Sequence, residues 1–348
     1  MKTHNAAENQ FKRRPARRLA FKFALSFCLA LIALPVLACN IPVFRYALER
    51  WRSDRMQVLV FIDQELSASD QAAVARLRTA SVATNGSANL EVQTIDLREP
   101  AKKNETRQAI ELWESIQTSS ANAKPPFVAV QGKHPRGPYL SWSGKLADSG
   151  AILSSPARLE LGRRLLAGKS VVWLVLQSQE DQAANERVTT LLRGQSKELS
   201  ADLELPEGIG LPGSELFSEV PLLLEFSVLE IDRNDNREEY LIESLKGFQP
   251  EAFEADEPLV IPVFGRGRAL EVIPASKLTD ALVRDLSAFL CAACSCQVKE
   301  QNPGFDLLLE RNWDLELFGE EGEKPPASEN GLGQQKRVLL DIPPGKSK

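Results

Sequence analysis

The chain has 348 residues, 43% of them apolar and 26% charged, with 42 Lys and Arg against 47 Asp and Glu. That composition is ordinary for a folded protein, and the length suffices for two domains. The net charge, −5 overall and −11 without the basic first 38 residues, argues against nucleic acid as a partner, because phosphate binding needs a concentrated positive face.

Much of the positive charge is gathered at the N-terminus. Lys2, Lys12, Arg13, Arg14, Arg17, Arg18 and Lys22 stand there against one acid, Glu8. The apolar run that follows, residues 23–38, is shorter than the ~20 residues of a spanning helix, and Pro35 interrupts it. A basic flank, a short apolar core and a small residue before a cut predict an export signal over residues 1–38. Its end, Val36-Leu37-Ala38-Cys39, resembles the lipobox of bacterial lipoproteins. The resemblance implies cleavage before Cys39 and a diacylglycerol on its sulfur. The protein would then be lipid-anchored to a membrane of the cell envelope, facing the periplasm. Asn40, in place of Asp, favours the outer membrane. Acyl chains contribute ~0.8 kcal/mol per buried CH₂, so such an anchor needs no basic patch. Without residues 1–38 the chain keeps 35 basic and 46 acidic residues, a net of −11, which disfavours docking on anionic lipid.

Residues 39–54 read as a lipid-anchored linker. Phe44, Ala47, Leu48 and Trp51 recur at helical spacing, which predicts one or two turns packed against the first domain. Residues 56–62 form an apolar strand, 67–83 a helix with Ser69 and Asp70 as caps, and 90–97 a strand. A helix over 104–117, strands over 127–130 and 139–143 and a closing helix over 155–167 complete residues 55–168. A similar order recurs across residues 169–317. Strands are expected at 170–176, 222–231, 259–264 and 269–273, with helices at 181–198 and 238–246. The closing helix is expected at 276–290, capped by Ser276. Residues 205–221, rich in Gly and Pro, read as an insertion loop. Residues 306–317 carry Leu307, Leu308, Leu309 and Trp313 and are expected as a short helix on the second unit. Residues 318–348 read as a disordered tail.

This twice-used β-α-β-α-β-β-α order, together with Pro126 and Pro258 just before the third strand of each unit, resembles the thioredoxin fold. The resemblance implies an α/β class with two thioredoxin-like units, and a cis peptide bond before Pro126 and Pro258. It departs from the family where redox chemistry would sit. The family's Cys-x-x-Cys positions read Asp63-Gln-Glu-Leu-Ser67 and Gln177-Ser-Gln-Glu-Asp181. Disulfide exchange needs an attacking thiolate, so the scaffold carries over without its catalysis.

The remaining thiols, Cys291, Cys294 and Cys296, lie within six residues. Three readings stay open: a disulfide with one thiol left over, a soft-metal site for Cu or Zn, or buried structural cysteines. A closed zinc site wants four ligands, and His134 is the one His after the export signal. The loop Gly265-Arg-Gly-Arg268 reads as a hairpin rather than an anion cradle, and Lys133-His134-Pro-Arg136 as its counterpart. No Ser-His-Asp order, metalloprotease helix or phosphate loop is present. The expectation is a non-enzymatic envelope lipoprotein without cofactor, anchored to the membrane and binding another envelope protein. The alternative is a thiol-disulfide oxidoreductase or Cu/Zn carrier using Cys291, Cys294 and Cys296.

Overall fold

The computed structural model describes residues 40–100, 103–120, 122–295 and 297–325. The expected export signal, Cys39, Cys296 and the tail from residue 326 lie outside the described residues. The fold is α/β, built on two mixed sheets.

The first sheet has the order β2-β1-β3-β4, from β1 (Met56–Ile62), β2 (Leu90–Asp96), β3 (Phe127–Gly132) and β4 (Tyr139–Lys145). β1 runs parallel to β2, with Met56 opposite Leu90, and antiparallel to β3, with Phe61 opposite Phe127. Alternation along β1 divides the core. Met56, Val58 and Val60 face one cluster with Val74, Leu77 and Trp142, while Leu59 and Phe61 face another with Trp113 and Ile116. The helices behind these clusters are α2 (Ala68–Ala80) and α3 (Asn104–Ser119). Ser67, rather than Ser69 or Asp70, caps α2 by accepting from the Asp70 N–H. The short α4 (Gly150–Leu153) and α5 (Pro156–Leu166) lead to the second sheet.

That sheet is built around β5 (Val171–Leu176), whose six residues are all buried. β6 (Phe226–Ile231) lies parallel to β5, and β7 (Leu259–Phe264) antiparallel on its other side. β8 (Arg268–Ala269), β9 (Ile273–Pro274) and β10 (Phe305–Asp306) complete it. The path β6-β5-β7-β8 repeats the order and sense of β2-β1-β3-β4. Packed around it are α6 (Gln182–Asp202), α7 (Glu239–Lys246), α8 (Pro250–Glu254) and α9 (Asp280–Cys291). α7 also covers the first sheet's edge at β4: the Tyr240 and Ser141 hydroxyls are 3.2 Å apart, and the Trp142 indole donates to Glu239. Covering an edge strand removes a template for unwanted pairing.

Several expected boundaries shift for local reasons. β6 begins at Phe226 instead of residue 222, because the carbonyls of Leu223 and Glu225 are taken by the Ser170 hydroxyl and N–H. The closing helix begins at Asp280 under Thr279, which accepts from Leu282, and Ser276 sits in a 3-10 turn. The expected strand over 269–273 pairs only at its two ends, as β8 and β9.

Two larger departures concern the chain's ends. The segment after residue 39 does form a helix, α1 (Val43–Arg50), but it packs on the second sheet. Val43 donates to the Ala292 carbonyl and Cys294 to that of Ile41, while Trp51 stacks edge-on against Phe264. Gly265 at φ 57 passes so close to Ala47 that a Cβ there would lie 2.6 Å from the alanine methyl. Buried Arg266 then holds the helix end, donating to the carbonyls of Leu48 and Glu49 and to Asp314. The Gly265–Arg268 turn is thus an internal clamp.

Residues 306–311 are extended, and the only helix there is α10 (Trp313–Phe318), capped by Asn312. β10 pairs with β8, after which the chain crosses to the first sheet, where Glu310 bridges Ala88 and Arg311 donates to Ser87. Leu307 and Leu309 enter the second core and Leu308 the first. Three consecutive leucines could not be buried on opposite sides by one helical face. Buried Asn89 fastens this strap, donating to the carbonyls of Asp54 and Leu307 and accepting from the Leu309 N–H.

Candidate functional site

The strand-to-helix corners after β1 and β5 occupy matching places in the two sheets, and they differ. At the first, β1 ends at Ile62, and residues 63–67 turn into α2. The Ser67 hydroxyl donates to Asp70 Oδ2 at 2.6 Å while accepting from the Asp70 N–H. Across the corner the Pro125–Pro126 peptide bond is cis, and the Pro126 carbonyl accepts from Leu146. Between them lies a cleft of about 200 Å³, lined by Ile62, Gln64, Leu66, Pro126 and the acids Asp63, Glu65 and Asp70. Next to it Arg98 makes a bidentate pair with Asp96, and these hydrogen bonds hold the Asp96 carboxyl down at about 2. The cleft wall contains no His, Cys, Lys or Arg, and its one hydroxyl is committed to Asp70. That set can recognise an extended or cationic chain by hydrogen bonds and charge.

The second corner is sealed. Asp256 inserts its carboxylate into the loop, accepting from the N–H groups of Gln179 and Glu180 and from the Ser178 hydroxyl. Arg233 pairs with the same carboxylate at 2.9 Å and donates to the carbonyls of Phe253 and Glu257. Burial alone would raise the Asp256 pKa. The backbone and hydroxyl donors and the Arg233 charge outweigh it and hold the carboxyl below the usual range. Asn185 closes the other side, exchanging hydrogen bonds with the Ser178 backbone. Pro258 accepts from Ala275 much as Pro126 does from Leu146, but its bond is not cis: Pro125–Pro126 is the only cis bond among the described residues. The chain instead reverses at Asp256, which adopts φ 52.

Cys291 carries a free thiol at the end of α9, 2% exposed. It faces the interior, and burial pushes its pKa up to about 12. Cys294 is buried too, with its N–H on the Ile41 carbonyl. Among the described residues no group of three or more His, Cys, Asp or Glu is arranged to hold a metal ion. A thiol held this high is on the order of 10⁻⁴ ionised at pH 8, and the thiolate is the reacting form. Maleimide labelling of the native protein at pH 8 should therefore leave Cys291 unmodified for hours, with rapid labelling once urea unfolds the chain. Fast native labelling of Cys291, read by peptide mass mapping, would contradict the burial.

His134 lies in the loop between β3 and β4. It packs beside Phe248 and Phe305, its Nδ1 accepts from the Arg136 N–H, and burial with the nearby Arg136 and Arg268 charges lowers its pKa. Sequence reasoning missed Asp256 and Arg233, whose signal was weak: an Asp two residues before the strand-leading proline, far in sequence from the loop it fills. No helix among the described residues is long and apolar enough to cross a membrane. The chain matches no family model, no curated protein and no solved structure.

Proposed function

We propose that this chain is a non-enzymatic binding module of thioredoxin-like build, held on an envelope membrane through lipidated Cys39, whose partner docks at the corner between residues 62–70 and Pro126. The single observation carrying this reading is the contrast between the corners: one filled by its own Asp256 and Arg233, the other an open acidic cleft without a thiol. An enzyme of the usual thiol type would need an exposed, low-pKa sulfur at one of them. Burial of Cys291 weighs against the rival oxidoreductase or copper–zinc carrier.

The address rests on residues 1–39, whose basic flank, apolar run and Val-Leu-Ala-Cys ending fit a lipoprotein signal. Cys39→Ser should move the protein from the membrane pellet to the soluble envelope extract. Retention in the membrane with the signal removed would refute lipid anchoring at Cys39.

A further inference from the structure

We propose that the turn formed by residues 205–213 is a membrane-contact element, seating Leu211 among the acyl chains of the bilayer beside the anchor. The inference rests on the reading of Cys39 as the lipid attachment point. Asn40, one peptide bond beyond that residue, does not hang from a loose tether. Its N–H donates to the hydroxyl of buried Ser214 at 2.9 Å, at the end of the turn. Its side-chain amide lies 2.9 Å from where a Cβ on Gly208 would be, and the Leu211 methyl is 3.6 Å from the same point. Leu211, Gly208 and the start of the folded chain therefore meet at one place.

The turn is built to display a side chain. Gly208, Gly210 and Gly213 adopt φ of 83, 85 and 86, conformations open mainly to glycine. Leu211 donates to the Gly208 carbonyl, Ser214 to that of Leu211, and Gly210 to that of Ser214. The following segment is bolted to α1: Glu49 accepts from the N–H groups of Phe217 and Ser218, Arg45 donates to the Ser218 carbonyl and Arg50 to that of Glu215. At the tip Leu211 is 61% exposed, the largest exposure of any large apolar side chain among the described residues. Pro212 beside it is exposed and Ile209 half-buried, and exposed Ala292 and Ala293 flank Ile41 and Pro42 on the other side. An exposed leucine fixed beside Asn40, the residue that directly follows the lipid-bearing Cys39 of this reading, fits a bilayer as its cover. The acids Glu207 and Glu215 lie at the rim, which suits zwitterionic headgroups better than anionic ones.

The test uses full-length protein matured in its own envelope and reconstituted in phosphatidylcholine–phosphatidylethanolamine vesicles carrying brominated acyl chains. Leu211→Trp is compared with Leu140→Trp, an exposed position on the first sheet, each after subtracting the native protein's fluorescence. A ring seated 5–10 Å into the interface should be quenched roughly twofold or more beyond the Leu140→Trp signal. Equal quenching in the two variants would overturn the inference. Intact mass of the same samples reads acylation separately. An acylated chain with equal quenching retires the membrane turn alone. An unacylated chain with strong Leu211→Trp quenching retires the Cys39 reading and keeps the turn at the bilayer.

Discussion

Asp306→Asn is expected to destabilise the folded chain by about 3–5 kcal/mol at pH 7, the usual cost of removing one partner from a buried ion cluster. Asp306 is 3% exposed and sits between Arg268 at 3.0 Å and Lys299 at 2.5 Å, with the Asp54 N–H on the same carboxylate. Both cations are themselves buried, and Lys299 also reaches Asp54. The amide would leave two charges facing a neutral group inside the protein. Urea unfolding measures the effect, and a loss below about 1 kcal/mol, the range of an exposed pair, would contradict it. The pH dependence follows from the sign of the shift. Burial opposes ionisation of Asp306, but Lys299 and Arg268 prevail and hold its pKa below the ordinary value. Its contribution is therefore fully present above about pH 4, the unfolded Asp value, and is lost as pH falls through the lower folded value. The gap between native protein and Asp306→Asn should close on acidification.

The second large effect is expected from the strap. Leu308→Ala removes a side chain, 1% exposed, that the C-terminal segment inserts into the first core beside Tyr240. A loss of about 2–5 kcal/mol is the range for such truncations. Because Leu307 and Leu309 remain in the second core, the damage should be uneven. Urea unfolding of the native chain should give one transition. In Leu308→Ala, hydrogen exchange of β1 and β3 amides should accelerate more than that of β5 and β7. Equal acceleration in both sheets would show that the strap does not support the first core specifically.

These two sites also mark where the sequence was legible and where it was not. The β1 and β5 strands announce themselves as branched apolar runs, and α6 begins at Asp181, which accepts from Ala184. The succession of strands and helices along the chain was readable because it depends on local pattern. What failed was long-range. The Leu307-Leu308-Leu309 run was read as helix, since nothing in it reveals that two cores lie on its two sides. The helix after residue 39 showed its apolar face but not its addressee: its contacts with Gly265, Arg266 and Ala292 lie more than 200 residues away. Buried charges are the hardest class. Arg158 looks like a solvated helix residue, yet it donates to the carbonyls of Ile152, Ala151 and Leu308 from the interior. Asp256 likewise explains why the second corner is closed, and only its position in three dimensions says so.

The binding reading makes its sharpest claim at the first corner, so a photo-crosslinking amino acid at Gln64 is the most direct measurement. In intact envelopes, irradiation should join the Gln64-substituted protein to one discrete partner, while the same probe at Gln179, on the sealed corner, should give none. Equal adduct patterns from both positions, or none from Gln64 together with disulfide exchange by the purified protein that is abolished in Cys291→Ser, would contradict it.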